Sequence, residues 1–168
     1  MHGVTQSVPL LANITLGYSL EEDRLRLDGL GASGETITLW LTARLMNRLV
    51  PELIKRQTDM QLLIKKLAST DTEGTDLSAA ESNAVQCAPG SPEILVASVD
   101  VSTRDDQLLL VFKDSEKAQR GIFVMPLSAL QRWNRGLQKC FEQAGWSQSV
   151  FQPRSPSGPV GQSAITIH

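Results

Sequence analysis

Two histidines occur in the chain, at positions 2 and 168. Nucleophilic catalysis through an imidazole, and zinc bound by histidine, both need the ring held in an ordered interior. His2 and His168 stand too near the ends for that, so this chemistry is not expected. Gly29-Leu-Gly31-Ala-Ser-Gly34 has the G-x-G-x-x-G spacing of a dinucleotide loop. That loop must follow a strand and open a helix whose N-terminus meets the pyrophosphate. Here Glu35-Thr-Ile-Thr-Leu-Trp-Leu41 follows, a strand pattern, so the glycines read as a hairpin that needs positive φ. No G-x-x-x-x-G-K-[ST] loop is present. Paired carboxylates at Glu21-Glu22-Asp23 and Asp105-Asp106 have the type for Mg²⁺ or acid–base work. Both fall where tight turns are expected, and acids there are ordinarily solvated turn formers. Cys87 has no basic neighbour, and Cys140 falls near the end of a helix pattern, where the dipole disfavours a thiolate. The reading is a non-enzyme with no cofactor and no metal.

Binding chemistry is better represented. Met46, Val50, Leu53, Gln57, Met60, Ile64 and Leu67 follow a 4-3-4-3-4-3 spacing. That is the seam of a helix pairing with another helix, with Gln57 as one polar position that can set register. Residues 43–54 already provide a core-facing stripe. The later set, Met60, Leu62, Leu63, Ile64 and Leu67, must then cover the second half of the chain or meet a partner chain, since soluble monomers rarely leave such patches in water. Met60, Ile64 and Leu67 are the candidate partner-binding residues, with a homodimer as one outcome. On the opposite side of the same helix run Arg44, Arg48, Lys55 and Lys66. With Arg24, Arg26 and Trp40 from strands, Arg44, Arg48 and Lys55 form a candidate phosphate and base surface. Trp40 points with Thr36 and Thr38, away from Ile37, Leu39 and Leu41. Trp133 lies on the apolar stripe Leu130, Trp133, Leu137, Phe141 and reads as core.

The elements that carry these residues follow one pattern twice. Leu10–Tyr18, Asp23–Asp28 and Glu35–Leu41 read as strands, and Thr42 as the N-cap of a helix over 43–68, with a kink near Pro51. Ile94–Val101, Gln107–Phe112 and Gly121–Met125 read as strands, and Ser128 as the cap of a helix stopped by Gly145. Asp23-Arg-Leu-Arg-Leu27 precedes Asp106-Gln-Leu-Leu-Leu110 by 83 positions, and Met46, Leu49 and Leu53 precede Leu130, Trp133 and Leu137 by 84. The expected fold is α+β: a duplicated β-β-β-α unit forming a pseudo-twofold body of antiparallel sheet with two helices.

The chain has 168 residues, 41% hydrophobic and 20% charged, with net charge −2. That size fits one small domain or two very small ones, and the charge excludes a strongly basic nucleic-acid binder at whole-chain level. Residues 70–92 carry four acids and no base. Such a segment buries too little apolar surface to offset its ordering entropy. The expected organisation is a first unit over 1–69, a flexible acidic linker over 70–92, a second unit over 93–150 and a disordered tail over 151–168. No apolar run approaches the roughly 18 residues of a membrane helix. The start lacks the basic flank of a signal peptide, and two cysteines suit a reducing compartment, so the expected location is cytoplasmic.

Thr36-Ile-Thr-Leu-Trp-Leu-Thr42 leading into a Leu/Arg-rich helix, with the closing Phe141-Glu-Gln-Ala-Gly-Trp146, resembles small uncharacterised bacterial proteins. In layout, a tandem sheet-then-helix repeat resembles the Pur and Whirly-type single-stranded nucleic-acid binders, which use more strands per repeat and more aromatic and basic side chains on the sheet. The sequence therefore supports a binding or regulatory module acting through protein–protein contacts. The alternative is single-stranded DNA or RNA binding through Arg24, Arg26, Trp40, Arg44, Arg48 and Lys55.

Overall fold

The structure is a computed structural model and describes residues 7–67, 83–153 and 164–168. Eight strands and two α-helices make an α+β fold: β1 (Leu10–Ser19), β2 (Arg24–Gly31), β3 (Thr36–Leu41), α1 (Ala43–Leu67), β4 (Glu93–Leu95), β5 (Ser98–Arg104), β6 (Gln107–Lys113), β7 (Gln119–Pro126), α2 (Leu130–Ala144) and β8 (Ile165–Ile167). The strands form one mixed sheet in the order β4-β3-β2-β1-β7-β6-β5-β8.

Alternation sets the faces. Leu25, Leu27, Ile37, Leu39 and Leu41 are buried, while Arg24, Arg26, Thr36 and Trp40 on the alternate positions are half-buried. Hairpins join β1 to β2 and β2 to β3, and the same antiparallel arrangement joins β5, β6 and β7. The acids expected at turns are there, with Asp23, Asp105 and Asp106 at positive φ of 47°, 48° and 63°. Asp and Asn tolerate that region better than most residues.

The sheet is not purely antiparallel. β1 meets β7 in parallel at Leu10 and Leu11, and β3 meets β4 in parallel at Thr38–Trp40. The strand expected over 94–101 is broken between β4 and β5. Val96 donates its N–H to the Trp40 carbonyl and the adjacent Ala97 donates to the Lys113 carbonyl, at 2.9 and 2.8 Å. Neighbouring residues thus bond to β3 and β6, which stand far apart in the strand order. The sheet therefore curls so that β4 and β5 adjoin end to end at Val96–Ala97.

Both helices press on one core. Leu45, Met46, Leu49, Val50 and Leu53 of α1 and Leu130, Leu137 and Phe141 of α2 join the buried strand residues in a single cluster. Residues 7–67 and 93–150 therefore share one sheet and one interior. Of the expected linker, residues 83–92 lie against the outer face of the sheet. Val85 N–H bonds Thr15 Oγ1, Ala88 N–H bonds Thr36 Oγ1, and the Cys87 thiol reaches Asp28 and Thr38. Of the expected tail, Phe151 closes a 3-10 turn that begins at Gln148, and Ile165–Ile167 forms β8, which pairs antiparallel with β5. Residues 1–6, 68–82 and 154–163, with the rest of the linker and tail expectations, lie outside the described residues.

Two local expectations are corrected. Thr42 caps α1, accepting from the Leu45 N–H at 3.2 Å, but Ser128 caps nothing. It sits inside a 3-10 turn, Leu127–Ala129, that leads into α2 without a side-chain cap. Within Gly29-Leu-Gly31-Ala-Ser-Gly34, only Gly34 has positive φ, at 90°. Gly29 lies inside β2, where an added Cβ would stand 2.8 Å from Leu11 Cδ2, so its need is close approach rather than a turn.

Candidate interaction surfaces

The 4-3 spacing on α1 divides at its middle. Met46, Val50 and Leu53 are buried, Gln57 and Met60 are half-buried, and Ile64 and Leu67 are exposed. A 25-residue helix is about 37 Å long at ~1.5 Å per residue, and only its first part faces the shared core. Beyond it Leu62, Leu63, Ile64 and Leu67 are 43%, 55%, 53% and 67% exposed. At roughly 100° per residue, Met60, Leu63, Ile64 and Leu67 fall within about 100° of the helix circumference. Leu62 lies on the other side.

Gln57 is not free to set a register with a partner. Its Oε1 accepts from Asn134 Nδ2 at 2.7 Å, which ties α1 to α2 within the chain. The residue before it, Arg56, is a buried cation. Its Nε pairs with Glu52 at 3.0 Å, and its Nη atoms reach Thr103 Oγ1 and the Val101 carbonyl on β5. Sequence reasoning passed over Arg56. The one signal was its place on the core side, three residues after Leu53.

The basic candidates fall into two groups. Arg24, Arg26 and Trp40 share the outer face of the β2–β3 ladder, where Arg26 stands opposite Trp40. The Arg26 guanidinium lies 5.6 Å from the Trp40 ring centroid, and its Nε reaches both Asp28 oxygens at 2.9 and 3.0 Å. Hydrogen bonding to Asp28 raises the Arg26 pKa further, against a smaller opposing effect of burial. Arg24 pairs with Glu22 at 3.5 Å. Arg44, Arg48 and Lys55 are exposed on α1, and Arg48 Nη1 donates to the His168 carbonyl at 2.9 Å.

Neither cysteine is activated. Burial and the hydrogen bond to Asp28 push the Cys87 thiol up, against a lowering contribution from Thr38, and burial alone raises Cys140. No group of three or more His, Cys, Asp or Glu side chains among the described residues is placed to hold a metal ion. No helix among them is long and apolar enough to cross a membrane. No protein-family model matches the chain, and neither a curated protein nor a solved structure matches it.

Proposed function

We propose that this chain is a non-enzymatic binding module that works through protein–protein contacts, with the distal end of α1 as its contact surface and a second copy of the chain as the partner. The observation that carries the reading is the stripe of Leu63, Ile64 and Leu67 on one side of the helix, each more than half exposed. Residues this apolar on the last turns of a well-anchored helix gain by burial, at about 25 cal/mol per Å² removed from water. A helix with the same stripe is the matching partner, because the spacing of Met60, Leu63, Ile64 and Leu67 suits side-chain interdigitation between helices.

Sedimentation tests this. The wild-type chain is expected to sediment as a dimer at micromolar concentration, and Ile64→Asp as a folded monomer that still melts cooperatively, at a temperature independent of protein concentration. A wild-type monomer, or global unfolding of Ile64→Asp, overturns the reading.

Single-stranded nucleic acid across Arg24, Arg26, Trp40, Arg44, Arg48 and Lys55 is the competing reading. The Arg26–Trp40 stack favours it, and the carboxylates beside Arg24 and Arg26 weigh against it, since they already offset the charge a phosphate would meet. An oligonucleotide titration at two salt concentrations separates the two, because phosphate binding weakens steeply with salt.

The same proposal takes the chain as a duplicated β-β-β-α unit. In support, β1-β2-β3-α1 recurs as β4/β5-β6-β7-α2. The parallel pairs Leu10–Ile122 and Leu11–Phe123 also have counterparts in Leu39–Ile94 and Trp40–Leu95.

A further inference from the structure

We propose that the cleft between β1 and β7 docks an extended peptide segment of a partner protein, bound as an added strand along the free edge of β1. The inference rests on the duplication reading just given, and it concerns a surface separate from the end of α1.

One seam of the sheet already holds such a strand. Ile165–Ile167 lies antiparallel to Val99–Val101 on β5. Thr166 Oγ1 donates to Asp100 at 2.6 Å, and Arg48, from α1, donates to the His168 carbonyl just beyond. An apolar, β-branched strand thus pairs with the edge of β5, and an arginine from the neighbouring helix holds its end.

The corresponding seam lies along β1. Val99 and Val101 pair with Phe112 and Leu110, while Ile14 and Leu16 pair with Gly29 and Leu27. Gly29 and Leu27 precede Phe112 and Leu110 by 83 positions. Ile14–Leu16 therefore stand in β1 where Val99–Val101 stand in β5. β1 leaves β7 after Leu11, and from Ala12 onward no strand among the described residues lies on that edge. The separation opens a cleft of about 420 Å³, walled by Ile14, Leu16, Phe123, Met125 and Trp133. Arg132 also lines it and stands 84 positions after Arg48, at the equivalent point of α2. It is exposed, and no carboxylate lines the cleft.

Gly136 supplies an independent observation. It lies in the middle of α2 and lines the cleft, and an added Cβ would meet Leu16 Cδ1 at an ordinary 3.7 Å. Packing does not demand glycine there, and glycine is a poor helix former. Its bare Cα keeps the cleft open beside Leu16.

A strand edge with unpaired main-chain groups takes an extended peptide, and side-chain pockets beside it set the preference. The apolar walls select β-branched or aliphatic residues at alternate positions, as in Ile165-Thr-Ile167. Arg132 selects a segment whose carbonyl or acidic side chain reaches it, and an all-acidic wall is absent, so a basic peptide gains nothing.

The test uses the full chain and the peptide Ala-Ile-Thr-Ile-His, blocked at both ends. Saturating peptide is expected to slow hydrogen exchange about tenfold or more at those amides of Ala12–Leu16 that do not bond β2. Arg132→Ala is expected to weaken binding about five- to tenfold, the size of one charge-assisted hydrogen bond. Gly136→Leu, checked for an intact melting transition, is expected to abolish the protection. Unchanged exchange along Ala12–Leu16, or slowing confined to Val99–Val101, overturns the proposal. Arg48→Ala separates the two layers of the argument. Faster exchange at Val99–Val101 in that variant, with no peptide effect at β1, leaves the duplicated seam standing and removes only the docking site. No change in that variant removes the equivalence of Arg48 and Arg132 as well.

Discussion

Asp100 is held by a cation on one side and a hydroxyl on the other. Lys113 Nζ stands 2.5 Å from its Oδ2, and Thr166 donates to its Oδ1 at 2.6 Å. Burial raises its pKa, but the hydrogen bonds from Lys113 and Thr166 outweigh this and leave the carboxyl below its ordinary 3.8. A depressed folded-state pKa contributes stability above the unfolded value, and the contribution is lost as pH falls through the folded value. Asp100→Asn is therefore expected to be less stable than the wild type at pH 7. The gap in melting temperature should narrow as pH is lowered from about 5 to below 3.8. A gap that is constant across that range rules out the carboxylate as its source. Arg56 shows the opposite economy. It is buried, and its charge is matched by Glu52, a hydroxyl and a carbonyl. A buried cation with such partners adds little net stability, because desolvation offsets much of the attraction, although removing one partner is costly.

At the scale of elements, the two helices start differently although their stripes are alike. α1 begins on a threonine whose hydroxyl accepts from Leu45 N–H. α2 begins through a 3-10 turn, with Pro126 ahead of it in extended geometry and no side-chain cap. Thr42→Ala is expected to lower stability by about 1 kcal/mol, the usual worth of an N-cap. Ser128→Ala is expected to change it by less than about 0.5 kcal/mol, as at most uncommitted surface positions. Equal losses in urea unfolding of the two variants contradict this assignment. The helix ends also differ. α2 stops at Gly145, with φ of 67°, and Trp146 folds back with its N–H on the Phe141 carbonyl and its ring edge-on to Phe141 at 5.2 Å. α1 runs on past the core with Leu62, Leu63 and Ile64 exposed.

For the whole molecule, closure of the sheet is the decisive feature. The parallel contacts of β1 with β7 and of β3 with β4 join the first half of the chain to the second, and Val96 and Ala97 bond to both sides of the join. Residues 7–67 alone leave the edges of β1 and β3 that meet β7 and β4 unpaired, and supply only part of the shared buried cluster. Such a fragment is expected to show no cooperative melting transition, while the full chain melts in a single one. Two independent transitions in the full chain contradict a shared core. Most long-range contacts run between neighbouring strands, so folding should depend on bringing distant segments together rather than on local helix formation alone.

The sequence by itself determined what depends on neighbours along the chain. Asp23-Arg-Leu-Arg-Leu27 alternates because a half-buried strand presents every second side chain to the core. The Met46, Val50, Leu53 stripe, the Thr42 cap and the Gly145 stop are equally local, and all appear where their residue types place them. The positions of β1, β2, β3, β6, β7 and both helices were legible for that reason, as was the orientation of Trp40, whereas the break between β4 and β5 and the strand β8 were not. Tertiary structure decided what depends on partners far away. Nothing near Leu10 indicates that it meets Ile122 in parallel, and nothing near Ile165 indicates that the edge of β5 receives it. Gln57 has the type and spacing of a register-setting residue, yet Asn134, 77 positions away, takes it. Gly29 looked like a turn residue until Leu11 packed against it. Of the candidate surfaces, the exposed end of α1 was legible because its spacing outran what one core face requires. The cleft beside Arg132 was not, because a strand edge becomes open or covered only when the whole sheet has closed around it.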